Sequence, residues 1–137
     1  LEGEVRSGVD REGVQVELGG TVDDAGLLRL YRGARALVLP STHRSEAYGM
    51  VQLEAMACGT PVISTALDTG VRWVNRDGET GLVVPPGDPE ALSAAVRSMA
   101  DDALRETLSR QALARAGGEL EASRTFSMVE RVMEDSL

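Results

Sequence analysis

Apolar positions recur along this chain in two rhythms. Val14 to Leu18 (VQVEL) alternate apolar and polar at period two and predict a strand ending at Gly19-Gly20. Asp23 and Asp24 then open a helix with Leu27, Leu28, Leu30 and Tyr31 on its apolar side, closing near Gly33. Ala36 to Leu39 (ALVL) is a continuous apolar run stopped by Pro40, as expected of a strand buried on both faces. A polar loop, Ser41 to Ala47, leads to a helix from about Tyr48 to Cys58 capped by Gly59, and Pro61 to Thr65 (PVIST) is the next buried strand.

The second half continues the alternation. Asn75 to Thr80 is turn-rich and precedes a strand, Gly81 to Val84 (GLVV). In Pro85-Pro86-Gly87-Asp88-Pro89, Asp88 is a natural N-cap and Pro89 takes the first helical position. The helix that follows places Leu92, Ala95, Val96 and Met99 on one face. Asp101/Asp102 starts another, with Leu104, Leu108 and Ala112, which ends at Gly117-Gly118. Ser127 to Glu130 has the spacing of a capping box and opens a short terminal helix. Strands separated by helices, two of them apolar throughout, predict a mostly parallel α/β sheet. Open sheets rarely begin on a helix remnant, so further strands are expected upstream of Leu1.

Composition narrows the chemistry. With 137 residues, 42% hydrophobic and 26% charged, the chain has one ordinary globular domain's worth of core. All 14 basic residues are arginine, and 22 acids leave a net charge of −8, which argues against nucleic acid or an anionic membrane as the main partner. No apolar run approaches the ~20 residues of a membrane span. Cys58 is the only cysteine, so no internal disulfide forms and a reducing compartment fits best; it is expected to be buried where a helix packs on the sheet. His43 is the only histidine, so zinc sites, Cys/His dyads and Ser/His/Asp triads lack the residues they need.

Sheets of this kind bind ligands beyond the carboxyl ends of their strands. Two such ends are polar here: Pro40 to Gly49, and Thr65 to Gly70. The first runs into a helix whose early amides (Gly49, Met50, Val51) are unpaired and dipole-positive, an anion site in which Gly49 permits close backbone approach. An acidic protein can thus hold a phosphate with backbone alone. Seven residues separate Glu46, in the loop, from Glu54, in the helix. Helical side chains lean towards the N-terminus, so the Glu54 carboxylate tips towards the anion site. It would repel the phosphate itself but suits a vicinal diol, such as a ribose, one bond beyond it. The pattern describes a ligand with a diphosphate in the middle and hydroxyl-rich groups on both sides.

The stretch PSTHRSEAYGMVQLEAMACGTPVIS (Pro40 to Ser64) resembles the E-x7-E signature of retaining glycosyltransferases of the GT-B fold, family 4. Glu46 and Glu54 stand at its two glutamates. GETGLVVPPGDPEAL (Gly78 to Leu92) resembles the segment that follows it, and the likeness covers about residues 14 to 137. The spacing alone would be uninformative; embedded between P-S and E-A-x-A-x-G-x-P-V it is highly specific.

The resemblance implies a Rossmann-like parallel sheet flanked by helices, the C-terminal half of a GT-B fold, with residues 1–137 as the nucleotide-sugar-binding domain. It implies that Glu54 binds the nucleotide ribose, that Glu46 approaches the donor sugar as the catalytic glutamate, and that the helix start at Tyr48, Gly49, Met50 and Val51 binds the diphosphate. The base would lie against Gly20, Thr21 and Val22. Where the family often has G-G-x-P-E, this chain has Thr69-Gly70-Val71-Arg72-Trp73, so Trp73 replaces the usual glutamate. The implied reaction transfers a sugar from a nucleotide diphosphate sugar to an acceptor hydroxyl with retention, with no cofactor and no metal.

The acceptor, a glycan or a lipid-linked molecule, would be held by an N-terminal domain absent from this chain, which is expected to be inactive alone. The expected location is cytoplasmic, with membrane association at most peripheral, at the inner face. A GT-B epimerase or phosphorylase and a non-catalytic nucleotide-sugar-binding module are the alternatives.

Overall fold

The computed structural model describes residues 15–17, 19–42, 47–67 and 74–118. Within them the chain runs α1 (Asp24–Gly33), β1 (Leu37–Leu39), α2 (Ala47–Ala57), β2 (Val62–Thr65), β3 (Gly81–Val84), α3 (Pro89–Ser98) and α4 (Asp102–Gly118). The three strands form a parallel sheet in the order β1-β2-β3, with Leu37 opposite Val62 and Val62 opposite Gly81. The parallel α/β sheet flanked by helices expected from the sequence is present.

The strand β2 is buried at every position because both faces of the sheet are covered. Val62 points into a core built with Leu28 and Tyr31 of α1, Ala55 and Met56 of α2, and Ala112 and Ala116 of α4. Ile63, one residue on and therefore on the opposite face, packs with Val84, Ala95 and Met99 and with Leu108 of α4. The helix α2 carries buried side chains around most of its circumference, since it lies between the sheet, α1 and α4.

Caps act where the sequence places them. The Asp23 carboxylate accepts from the Gly26 amide at 2.7 Å, Asp88 accepts from Ala91 at 3.0 Å, and Asp101 accepts from Ala103 and Leu104. Gly59 ends α2 with φ +74°, the left-handed conformation that favours glycine.

The turn before β3 is closed by Asn75. Its amide nitrogen donates to Val62 O, Ser64 Oγ and Leu82 O at 2.9–3.2 Å, and its Oδ1 accepts from Thr80 Oγ1 at 2.9 Å. This crowding explains Gly81, where a Cβ would stand 1.9 Å from Val62 O and 2.7 Å from Asn75 Oδ1. Arg35 and Arg105 clasp the entry to β1, at the same, amino end of the parallel sheet. Arg35 donates to Met99 O and Asp102, while Arg105 donates to Ala34 O and Arg35 O.

Several expectations are corrected. Gln15 to Glu17 form no strand and Val16 is exposed, because no described residue pairs with them; Val14 and Leu18 lie outside the described residues. Val38 of β1 is partly exposed, since among the described residues β1 has only β2 beside it. Leu30 (57% exposed) and Val96 (47%) face solvent although they sit beside apolar stripes. The terminal helix from Ser127 lies outside the described residues.

Candidate functional site

The carboxyl ends of the strands gather the polar groups. At the end of β2, Thr65 Oγ1 donates to Ser41 O at 2.6 Å, which ties the first residues after β1 to the neighbouring strand. That bond fixes the root of the loop leading to α2. The catalytic candidate Glu46, with His43 and Arg44, lies outside the described residues, as does the Thr69–Trp73 segment.

The helix α2 starts at Ala47, one residue earlier than the sequence suggests. The amides without an intrahelical partner are therefore those of Ala47, Tyr48 and Gly49, and Met50, the fourth helical residue, stands where Leu27 does in α1, whose amide donates to the cap carbonyl. Val51 is the fifth helical residue, and its amide pairs back to Ala47 by the i→i−4 rule, so it drops out of the expected anion site. The side chain of Met50 is exposed beside this helix start.

Glu54 lies two turns into α2 and is only 7% exposed. A buried carboxylate needs a donor, and it has one: the Tyr31 hydroxyl of α1 donates to Glu54 Oε2 at 2.9 Å. Among the described residues nothing donates to Oε1. Burial, and then the hydrogen bond to Glu54, push the Tyr31 phenol above its ordinary value, so it stays a donor through the neutral and mildly alkaline range. Sequence reasoning had placed Tyr31 only on an apolar face; its ring is in the core but its hydroxyl reaches the site. A hydroxyl-bearing aromatic on that face was the available signal.

The same helix buries a second polar side chain. Gln52 is fully enclosed, and among the described residues neither its Nε2 nor its Oε1 has a hydrogen-bond partner. Cys58, at the end of α2, is partly buried rather than fully so. Burial pushes its thiol above the ordinary value, against a smaller downward pull from Arg32.

The base-binding candidates Gly20, Thr21 and Val22 are exposed and directly precede the cap of α1, with Gly20 at φ +60°. The helix α1 thus links two parts of the candidate site, starting beside Gly20–Val22 and delivering Tyr31 to Glu54.

A cavity of about 200 Å³ opens at the carboxyl ends of all three strands, lined by Pro40, Thr42, Thr65, Val84, Pro85 and Leu92 among others. The sequence assigns Asp88 and Pro89 to a helix start and Pro85 to no site; a proline-rich break directly after a buried strand is the signal for a cleft wall. A larger depression of about 510 Å³, bounded by Arg76, Glu79, Thr80 and Arg115, lies at the amino end of β3. It is at the wrong end of the sheet for the ligand described above.

Comparison with known proteins agrees with this geometry. The profile of the family described as "Glycosyl transferases group 1" matches residues 11–116. The D-rhamnosyltransferase WbpZ of Pseudomonas aeruginosa is 46% identical over 78 residues, covering 57% of this chain and 20% of WbpZ. A phosphatidyl-myo-inositol mannosyltransferase of Mycobacterium leprae is 47% identical over 88 residues, covering 64% of this chain and 23% of that protein. Sucrose-phosphate synthase of Thermosynechococcus elongatus superposes with a TM-score of 0.79 at 32% identity, over 96% of this chain and 33% of its own. The matched stretch spans about a fifth of the curated relatives, and the fold is that of one half of a GT-B glycosyltransferase.

Proposed function

The chain belongs to the glycosyl transferases group 1 family, and from that premise we propose that it is the donor-binding domain of a retaining hexosyltransferase. In this reading the free amides at the start of α2, those of Tyr48 and Gly49, hold the diphosphate of a nucleotide sugar. Glu54 accepts the ribose hydroxyls, Gly20 to Val22 lie against the base, and Glu46 faces the donor sugar on the other side of the diphosphate. Catalysis is mainly positioning and stabilisation of the departing diphosphate by backbone dipoles, without a metal ion. The acceptor, a glycan or lipid-linked molecule, is held by a further domain, so this chain alone transfers nothing.

The observation that carries the proposal is Glu54. A carboxylate enclosed on a helix, with one oxygen held and the other unclaimed by any described donor, is a poor structural element and a good hydroxyl acceptor. The named relatives transfer different sugars by their titles, so donor sugar and base are not carried over. The location proposed is cytoplasmic, on the strength of the lone Cys58; among the described residues no helix is long and apolar enough to cross a membrane.

The test is calorimetric titration of the chain with UDP, GDP and ADP at millimolar concentration. Weak binding of at least one, unaffected by EDTA, is expected. No binding of any of them would overturn the proposal.

A further inference from the structure

The phenol at the α1–α2 contact belongs to neither the helix-start anion site nor the glutamate pair, and its surroundings hold it with unusual completeness. Tyr31 is 6% exposed and its ring packs in the core beside Leu28, Ala55 and Met56. Its own carbonyl accepts from Thr60 Oγ1 at 2.5 Å, so the segment just after α2 pins the backbone of α1 at this residue. Its hydroxyl then crosses back to α2 and donates to Glu54 Oε2. The two helices are therefore tied twice through one residue, once by main chain and once by side chain.

The end of a glutamate side chain turns about a broad, roughly two-fold torsion, so an unheld carboxylate samples many orientations. A phenol has a single proton to give. Donated to Oε2, that proton fixes the carboxylate plane and leaves Oε1, with the remaining lone pair of Oε2, for incoming hydroxyls.

We propose that Tyr31 is a positioning residue for ribose recognition, its hydroxyl orienting the Glu54 carboxylate towards the diol of the bound nucleotide. The inference rests on the assignment of Glu54 to the ribose made under the proposed function. It adds a residue that touches no ligand and acts through Glu54. Burial keeps the phenol protonated, so the device works unchanged across physiological pH. The oxygen removed in Tyr31→Phe leaves the ring and its packing in place, which separates orientation from core stability.

The experiment compares each nucleoside diphosphate (UDP, GDP, ADP) with its 2′,3′-dideoxy counterpart, titrated by NMR into the parent, Tyr31→Phe, Glu54→Gln and the double variant. The quantity read is the ratio of the two affinities within one variant, which cancels any general loss from altered packing. Tyr31→Phe is expected to lower that ratio about three- to ten-fold, the scale of freeing one side chain, and to leave dideoxynucleotide binding unchanged. In the Glu54→Gln background it should add little, since the two act as a unit. An unchanged ratio in Tyr31→Phe, or full additivity with Glu54→Gln, overturns the positioning role while leaving Glu54 in place. A parent that binds both nucleotides equally overturns the ribose assignment itself, and the positioning role with it.

Discussion

Asn75 and Glu54 are both polar residues enclosed by the α/β core, and they are satisfied to different degrees. The two N–H groups of Asn75 are shared among three acceptors and its Oδ1 accepts from Thr80, so its amide stitches β2, the turn and β3 together. Among the described residues Glu54 accepts one hydrogen bond, from Tyr31, and Gln52 on the same helix makes none. A buried amide with all its bonds made lowers the energy of one conformation and does nothing else. A carboxylate with an acceptor to spare is open to a donor from outside the core. The turn before β3 is therefore scaffold, and α2 is the element that carries chemistry.

If that contrast is right, substitutions at the turn should cost stability and spare binding, and those on α2 the reverse. The largest effect is expected of Gly81→Ala. Its Cβ would collide with Val62 O, a backbone atom that cannot move without breaking the β2–β3 ladder, and a loss of about 4 kcal/mol or more is expected in urea unfolding. Asn75→Ala should cost about 3 kcal/mol, because it strands several buried partners at once; nucleotide affinity of the folded fraction should not change. An Asn75 variant that folds normally but loses ligand would erase the contrast.

On α2 the expected effects are smaller and of the other kind. Glu54→Gln should weaken nucleoside diphosphate binding about ten-fold, some 1.4 kcal/mol, with little change in melting. Glu46→Gln should spare the nucleoside diphosphate and weaken only the matching nucleotide sugar. Equal effects of both variants on both ligands would show that the glutamates do not divide the donor between them.

The smallest effect at neutral pH is a titration. Tyr31 ordinarily ionises near pH 10.0, and its native value is raised. Above pH 10 the unfolded chain gives up this proton while the native chain keeps it, so deprotonation favours unfolding. Its stabilising contribution is therefore present below pH 10 and lost as pH rises beyond it. The parent should lose stability more steeply there than Tyr31→Phe, by at most one proton's slope, about 1.4 kcal/mol per pH unit. Parallel profiles would remove Tyr31 from the buried network.

Much of this was legible in the sequence, for identifiable reasons. The caps Asp23, Asp88 and Asp101 and the terminator Gly59 act locally, and local rules found them. The strands β2 and β3 stood out because burial on both faces leaves a continuous apolar run. What failed was non-local. Leu30 and Val96 lie at the margins of apolar faces, and periodicity alone does not say how wide a face the neighbours cover. Val14 to Leu18 has the alternation of a strand, but alternation does not supply a partner. The pairing of Tyr31 with Glu54 spans 23 residues, so no spacing rule could show it.

The helix carrying Glu54 is also held from far along the chain. The Ser109 hydroxyl of α4 donates to Gly59 O, at the terminator of α2, across 50 residues. Ala112 and Ala116 of the same helix pack in the core with Ala55 and Met56. Translation adds about 5–20 residues per second, so Gly59 is made roughly 3–10 s before Ser109. Once Val84 has been made α2 can have the three strands beneath it, but until Ser109 it has no α4 across it, and Met56 and its neighbours lack that cover. The nascent chain is therefore most exposed to aggregation and to chaperone capture while α4 is still being synthesised, and a stalled ribosome between the two positions would prolong that exposure.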